Sequence, residues 1–261
     1  MARIHLFEWE DQLWFPSFLR NYMTDFLEFV SHASKLHRGV PSKLAEVMKS
    51  SNKNHILDLG SGGGGPWRQV LPVLTDANPK SKVTLSDFYP NIRAFEKLES
   101  QFPNSVDFIA ESVDARQVKT HENAIRTQFL SLHHFKPADA TAILKNAVEA
   151  NTPIVIVEGQ SRNVPSMIGM LFSPITTLLV TPFIKPFKLS RLLFTYLIPI
   201  LPLLIMWDGI VSVLRTYSKP ELEGLSEAAD PEGKFNWEYV KSEKSPATMF
   251  VGMPISNQTE D

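Results

Sequence analysis

The residues of this chain best equipped for chemistry sit where short apolar runs end. Asp58-Leu-Gly60-Ser61-Gly62-Gly-Gly64-Gly65 follows the run His55–Leu59 and opens a segment with helical spacing. Glycines there let the backbone turn tightly and let a ligand approach with no side chain between. Amide N–H groups at the start of the following helix would face the ligand's polar atoms. Asp87 closes a second run, Lys82–Ser86, with the aromatic Phe88 behind it; Asp114 and Ala115 follow a third, 106–109. A carboxylate suits the polar edge of a bound molecule because it accepts two hydrogen bonds with charge assistance. Any one of these acids reads equally well as a cap or a solvated loop residue. Three at successive strand ends, beside a glycine turn, form a constellation.

A second group lies further along. Thr127-Gln-Phe-Leu-Ser-Leu-His133-His134-Phe135 carries adjacent histidines, the side chains whose charge changes near neutral pH. Either could line an acceptor site, as general base for a hydroxyl or an acidic carbon. The alternative is that one histidine packs and the other caps a helix starting near Pro137. Glu158 ends the run 153–157 and could orient an acceptor, or simply cap, or pair with Arg116 or Arg162. No His/Asp/Glu group has metal-ligand spacing, and no nucleophilic serine elbow is present.

The elements that must position these groups can be read from periodicity. Residues 7–37 have apolar residues at helical spacing, and Pro16 predicts a division into two helices. A short helix is expected at 42–49, then strands at His55–Leu59, Lys82–Ser86, 106–109, 124–130 and 153–157, each short and apolar as buried parallel strands are. Helices are expected between them at 67–74, 91–101 and 137–150. Ser218-Lys-Pro-Glu221 has the form of a capping box. Residues 235–241 and 247–253 alternate as a closing strand pair around a polar turn, and 256–261 reads as a loose tail. The expected fold is α/β and doubly wound: a mostly parallel seven-stranded sheet with an antiparallel strand near its end. A helical cap is expected at 1–50, and one main domain at 51–261.

The glycine turn fits two patterns. Gly60, Gly62 and Gly65 satisfy G-x-G-x-x-G, the dinucleotide fingerprint of nicotinamide enzymes. Asp58, Gly60, Gly62 and Gly64 also give D-x-G-x-G-x-G, which resembles motif I of class I S-adenosylmethionine-dependent methyltransferases. Three features favour the second: the fifty residues before the first strand, the Leu85-Ser-Asp87-Phe88 sequence, and Glu111-Ser-Val-Asp114-Ala115. The resemblance covers 56–158 well and the last forty residues more loosely. It implies that Asp58, Gly60, Ser61, Gly62 and Gly64 hold the methionine end of S-adenosylmethionine. It further implies that Asp87 pairs with the ribose hydroxyls, Phe88 packs on adenine, and Asp114 and Ala115 border the adenine amino group. His133, His134 and Glu158 become the candidate catalytic residues. The rival readings are an NAD(P)-dependent oxidoreductase and a non-catalytic, membrane-associated relative.

The stretch 167–207 is almost without charge apart from Lys185, Lys188 and Arg191. Each half falls short of the ~20 apolar residues a spanning helix needs, and Pro174, Pro182, Pro199 and Pro202 break regular helix. We expect a monotopic or re-entrant insertion with those three bases near anionic headgroups, and hence an apolar small-molecule acceptor taken from a membrane surface. A soluble lid is the alternative. The composition is ordinary for a globular chain of 261 residues, 43% hydrophobic and 21% charged. A net charge of −2 gives no reason for a nucleic-acid partner. The absence of cysteine excludes disulfides and thiolate zinc sites and fits a reducing, cytoplasmic setting. The first residues, MARIHLFEWEDQLW, lack the basic-then-apolar pattern of a secretory signal.

Overall fold

The computed structural model describes residues 1–119, 123–241 and 245–255. In chain order the helices are α1 Ser17–Ala33, α2 Val40–Ser51, α3 Trp67–Ala77, α4 Ile92–Gln101, α5 Pro137–Glu149, α6 Val164–Leu171, α7 Ser173–Val180, α8 Leu189–Leu192, α9 Ile200–Arg215 and α10 Lys219–Ala229. The strands are β1 His55–Leu59, β2 Lys82–Ser86, β3 Val106–Phe108, β4 Ile125–Phe129, β5 Ile154–Glu158, β6 Phe235–Lys241 and β7 Thr248–Pro254. The expected polar turn between the last two strands lies partly, and the expected tail at 256–261 wholly, outside the described residues. Two compact units divide the chain: unit 1 is Met1–Lys35 with Gln160–Ser218, and unit 2 is Leu36–Gly159 with Lys219–Asp261.

Unit 2 holds the sheet. Its order is β3-β2-β1-β4-β5-β7-β6. The first five strands pair in parallel, and β7 runs antiparallel to both β5 and β6. This is the doubly wound sheet expected from the sequence. Ile56, Leu85, Ile125, Phe129, Val155 and Val157 pack in one apolar cluster with side chains of α2, α3 and α4. Successive strand residues face opposite ways, so Arg126 points away from that cluster and reaches Asn146 of α5 at 2.8 Å. Helices therefore cover both faces, as a parallel sheet requires. Strand order reverses between β1 and β4, so a crevice opens at their carboxyl ends, the usual place for ligands in such folds.

Unit 1 is helical. Phe15, Leu19, Tyr22, Met23 and Phe26 pack with Ile184, Leu201 and Ile205 to form its core, while α9 packs against α1, α6 and α7. The two helices expected in residues 7–37 are one: only α1 forms, starting directly after Pro16. The stretch before it is held by tertiary hydrogen bonds instead of helical ones. Asp208 accepts the amide N–H groups of Trp9 and Glu10 at 2.8 and 3.1 Å, and Arg20 donates to the carbonyls of Glu10 and Gln12. Arg215 donates to the carbonyl of Leu6 and pairs with Asp11 at 2.7 Å and Glu8 at 3.4 Å. Side chains have taken the main-chain groups that a helix would have used.

In the apolar stretch the prolines break the helices as expected, and among the described residues no single helix is long and apolar enough to cross a membrane. Two bent helix pairs are together long and apolar enough, Val164–Leu171 with Ser173–Phe183, bent by 47°, and Leu189–Leu197 with Ile200–Arg215, bent by 81°. The expectation for the basic island needs correction. Arg191 is buried and pairs with Asp25 at 2.6 Å, and Lys188 pairs with the same carboxylate at 2.7 Å. Two of the three bases serve internal structure; Lys185 is exposed.

Candidate functional site

The glycine turn leaves β1 with Gly60, Gly62, Gly64 and Gly65 all at positive φ, between 52° and 98°. Side chains with a Cβ adopt that region at a cost, so the sequence of the turn follows from its path. One of these positions opens onto free space and another abuts a buried hydroxyl. A Cβ on Gly62 would meet nothing within 4 Å, and one on Gly60 would approach the Ser131 hydroxyl at 3.2 Å. That hydroxyl oxygen is itself buried without a protein partner.

The turn is sewn to β2. Ser61 N–H donates to the Ser86 carbonyl, the Ser86 hydroxyl donates to the Asp58 carbonyl, and Ser86 N–H donates to the Ser61 hydroxyl. Asp58 is the knot. Its carboxylate accepts from the Thr127 hydroxyl at 2.7 Å, the Ser61 hydroxyl at 2.7 Å and the Trp67 indole N–H at 2.9 Å. Burial nevertheless pushes its pKa up to about 6, against the lowering effect of those donors, and the nearby Asp87 adds to the rise. Asp58 thus shapes the turn from inside. Thr127 and Trp67 were not singled out in the sequence; the available signal was an indole on the next helix and a hydroxyl on β4, the strand that lies beside β1 with Thr127 opposite Asp58.

Asp87 stands at the open side. One oxygen accepts the Gly62 N–H at 2.8 Å and the other the Tyr89 N–H at 2.8 Å. Phe88 follows with its ring half exposed and edge-on to Tyr89, centroids 4.8 Å apart. Asp114 caps the short turn that begins at Ala115, and Arg116 clasps its carboxylate with three bonds of 2.7 to 3.1 Å. The guanidinium holds the Asp114 carboxyl below its ordinary range. Ala115 is buried. The turn, Asp87, Phe88, Asp114 and Ala115 all belong to the loops after β1, β2 and β3.

The loops after β4 and β5 bring the remaining candidates together. His133 donates its backbone N–H to Glu158 Oε1 at 3.1 Å, and its Nδ1 lies 2.9 Å from Glu158 Oε2, with both side chains buried. The ring of His134 lies against that of His133, centroids 4.3 Å apart. Glu158 therefore pairs with the histidine, while Arg116 takes Asp114 and Asp139 and Arg162 takes the carbonyls of Met1 and Thr216. No side chain caps α5, so the capping role considered for a histidine is not used. The Glu158 carboxylate on Nδ1 holds the orientation of the ring.

No family model matches the chain, and no curated protein matches it. Solved structures do resemble it. A structure described as PigF with SAH matches 93% of this chain and 63% of its own, with a TM-score of 0.54 and 19% identity. An O-methyltransferase family protein from Burkholderia thailandensis matches 85% of this chain and 57% of its own, with a TM-score of 0.51 and 13% identity. The chain thus spans about three fifths of the length of the structures it resembles. At these identities the likeness is one of fold, the α/β architecture with a mostly parallel seven-stranded sheet.

Proposed function

We propose that this chain binds S-adenosylmethionine in the crevice at β1 and β2 and transfers its methyl group to an acidic hydroxyl of an apolar small molecule. The observation that carries the reading is the pairing of two features in one unit. A left-handed glycine turn opens onto Asp87, and a buried His133–Glu158 pair stands at the ends of the neighbouring strands β4 and β5. The residues present fit the cofactor: Gly62 leaves open space where a side chain would stand, and the Ser131 hydroxyl lacks a protein partner.

Asp87 would hold the ribose hydroxyls, Phe88 would cover the adenine, and the turn from Gly60 to Gly64 would hold the methionine end. Bound there, the cofactor supplies an electrophilic methyl on a sulfonium. Methyl transfer of this kind is an in-line displacement for which alignment does most of the work. What the chain adds is a place for the acceptor's proton. The His133 ring would take it up, and Glu158, bonded to Nδ1, would steady the imidazolium that results. The long apolar stretch of unit 1 supports a lipid-like acceptor and work at a membrane surface, on the cytoplasmic side.

Calorimetry with S-adenosylhomocysteine and with nicotinamide dinucleotides tests the reading. Heat is expected with the first only, and Asp87→Ala should weaken it more than tenfold, from loss of charge-assisted bonds worth roughly 1.5–3 kcal/mol. Binding of the nicotinamide dinucleotide alone would overturn the proposal.

A further inference from the structure

Unit 1 exposes a pinned apolar tip at residues 182–189. Phe183, Phe187 and Leu189 are 70%, 64% and 75% exposed, and the exposed Lys185 lies between them in sequence. Exposed loops with large apolar side chains usually fold them inward, since each is favoured out of water. Here the backbone prevents it. The Arg191 guanidinium donates to the carbonyls of Ile184 and Pro186 on one side and to Asp25 of α1 on the other. Lys188 reaches the same Asp25, Tyr22 and Ser190 share a hydroxyl bond of 2.6 Å, and Ile184 sits in the core. The tip is anchored by five hydrogen bonds or ion pairs while its apolar side chains are held out.

The surroundings say what the tip meets. From Gln160 to Trp207 there is no Asp or Glu; the charges are Arg162, Lys185, Lys188 and Arg191. Helix α6 has no buried residue at all, although five of its eight residues are Val, Ile, Leu or Met. On α7, Ile175 and Leu179 are exposed as well. A helix apolar on every side suits neither water nor the polar-rimmed patch of a protein interface. It suits the boundary between headgroups and acyl chains, and a segment that carries no acid of its own and an exposed lysine suits anionic headgroups, the one carboxylate at the tip, Asp25, being paired with Lys188 and Arg191.

We propose that residues 182–189 are the element of unit 1 that penetrates an anionic lipid surface, with Phe183, Phe187 and Leu189 among the acyl chains and Lys185 at the headgroups. This rests on the reading that the chain works at a membrane surface and names the part that makes contact. Because Arg191, Lys188 and Asp25 fix the loop beforehand, little ordering is left to be done on insertion.

The chain has no cysteine, so single variants accept one label each. Phe187→Cys and, as a control in unit 2, Glu96→Cys would carry an environment-sensitive fluorophore on the full chain. They would be mixed with phosphatidylcholine vesicles with or without phosphatidylglycerol. The label at 187 should shift to the blue and be quenched by nitroxides on the acyl chains, the label at 96 should do neither, and both effects should need phosphatidylglycerol. The triple variant Phe183→Ser, Phe187→Ser, Leu189→Ser should lose at least tenfold in vesicle binding with an unchanged circular dichroism melt. Absence of vesicle binding by the unaltered chain would remove the membrane reading itself. Vesicle binding with no quenching at 187, or equal binding to phosphatidylcholine alone, would overturn the assignment of the tip and leave that reading standing. A blue shift without vesicles that grows with protein concentration, together with doubled mass by light scattering, would show that a second copy covers the face and would also overturn it.

Discussion

Asp58 accepts three side-chain hydrogen bonds in a site without solvent, and both facts should be measurable. Asp58→Asn leaves a donor group facing donors, and a buried donor without an acceptor costs about 1–3 kcal/mol. The variant should unfold at lower urea concentration. The difference should also depend on pH. A carboxyl whose folded pKa is raised, from 3.8 to about 6, binds its proton more tightly when folded. Its contribution is fully present below its unfolded pKa and is lost as pH rises towards 6. The stability advantage of the native residue over Asn should therefore shrink between about pH 4 and pH 6, read by urea titration at each end. A gap that widened over that range would contradict the assignment. Glu158→Gln tests the other pair. Methyl transfer should fall by about 10²–10⁴-fold, the usual worth of acid–base assistance, with S-adenosylhomocysteine affinity nearly unchanged. Gln128 presents the reverse case, since its amide is fully buried and neither of its polar atoms has a protein partner. Gln128→Met removes that unmet demand at similar volume and should raise stability by about 1–3 kcal/mol. At this scale the sequence showed which acids stood at strand ends but not what they touch. Asp58 turned inward and Asp87 outward from the same kind of position, because only the former has a hydroxyl and an indole aimed at it.

Strands and helices of unit 2 were legible because each apolar run stops at a residue with its own reason to stop: Gly60 at positive φ, Asp87 in the loop, Glu158 on its histidine. The strand pair β6 and β7 was also visible from alternation, yet its tightest feature was not. Trp237 lies opposite Gly252 in register and stacks on Phe250 at 5.4 Å. A Cβ on Gly252 would come within 2.4 Å of the indole. Gly252→Ala should consequently lower stability by about 1–3 kcal/mol, the range for overfilling a packed site, seen as a lower Tm with little change in S-adenosylhomocysteine binding. Where element prediction failed, at residues 7–16, the pattern of apolar residues was helical but the hydrogen bonds were settled by Asp208, Arg20 and Arg215. Two of those three are on a helix near residue 210. Periodicity reports which face is greasy and is silent about distant side chains that claim the backbone.

For the molecule as a whole, Arg215 is the residue that ties the amino-terminal stretch to α9. It is buried with Glu8, and removing one partner of a buried pair costs about 3–5 kcal/mol. Arg215→Met should approach the lower end of that range, since Ser212 still donates to Glu8 at 2.9 Å. Hydrogen exchange should show the loss as faster exchange at the amides of Ile4, Trp9 and Glu10, with β1 to β5 unaffected. Both units are also discontinuous in sequence, their segments alternating along the chain. This has a consequence for biosynthesis. Ile4 donates its N–H to the carbonyl of Leu214, so the stretch around it must await α9, the last helix of its own unit, about 200 residues later in synthesis. At about 5–20 residues per second that delay is roughly 10–40 s. Throughout it, a nascent segment bearing Phe7, Trp9, Leu13, Trp14 and Phe15 lacks the partners α9 supplies, Trp207 and Asp208 among them, which makes it a natural client for a holding chaperone.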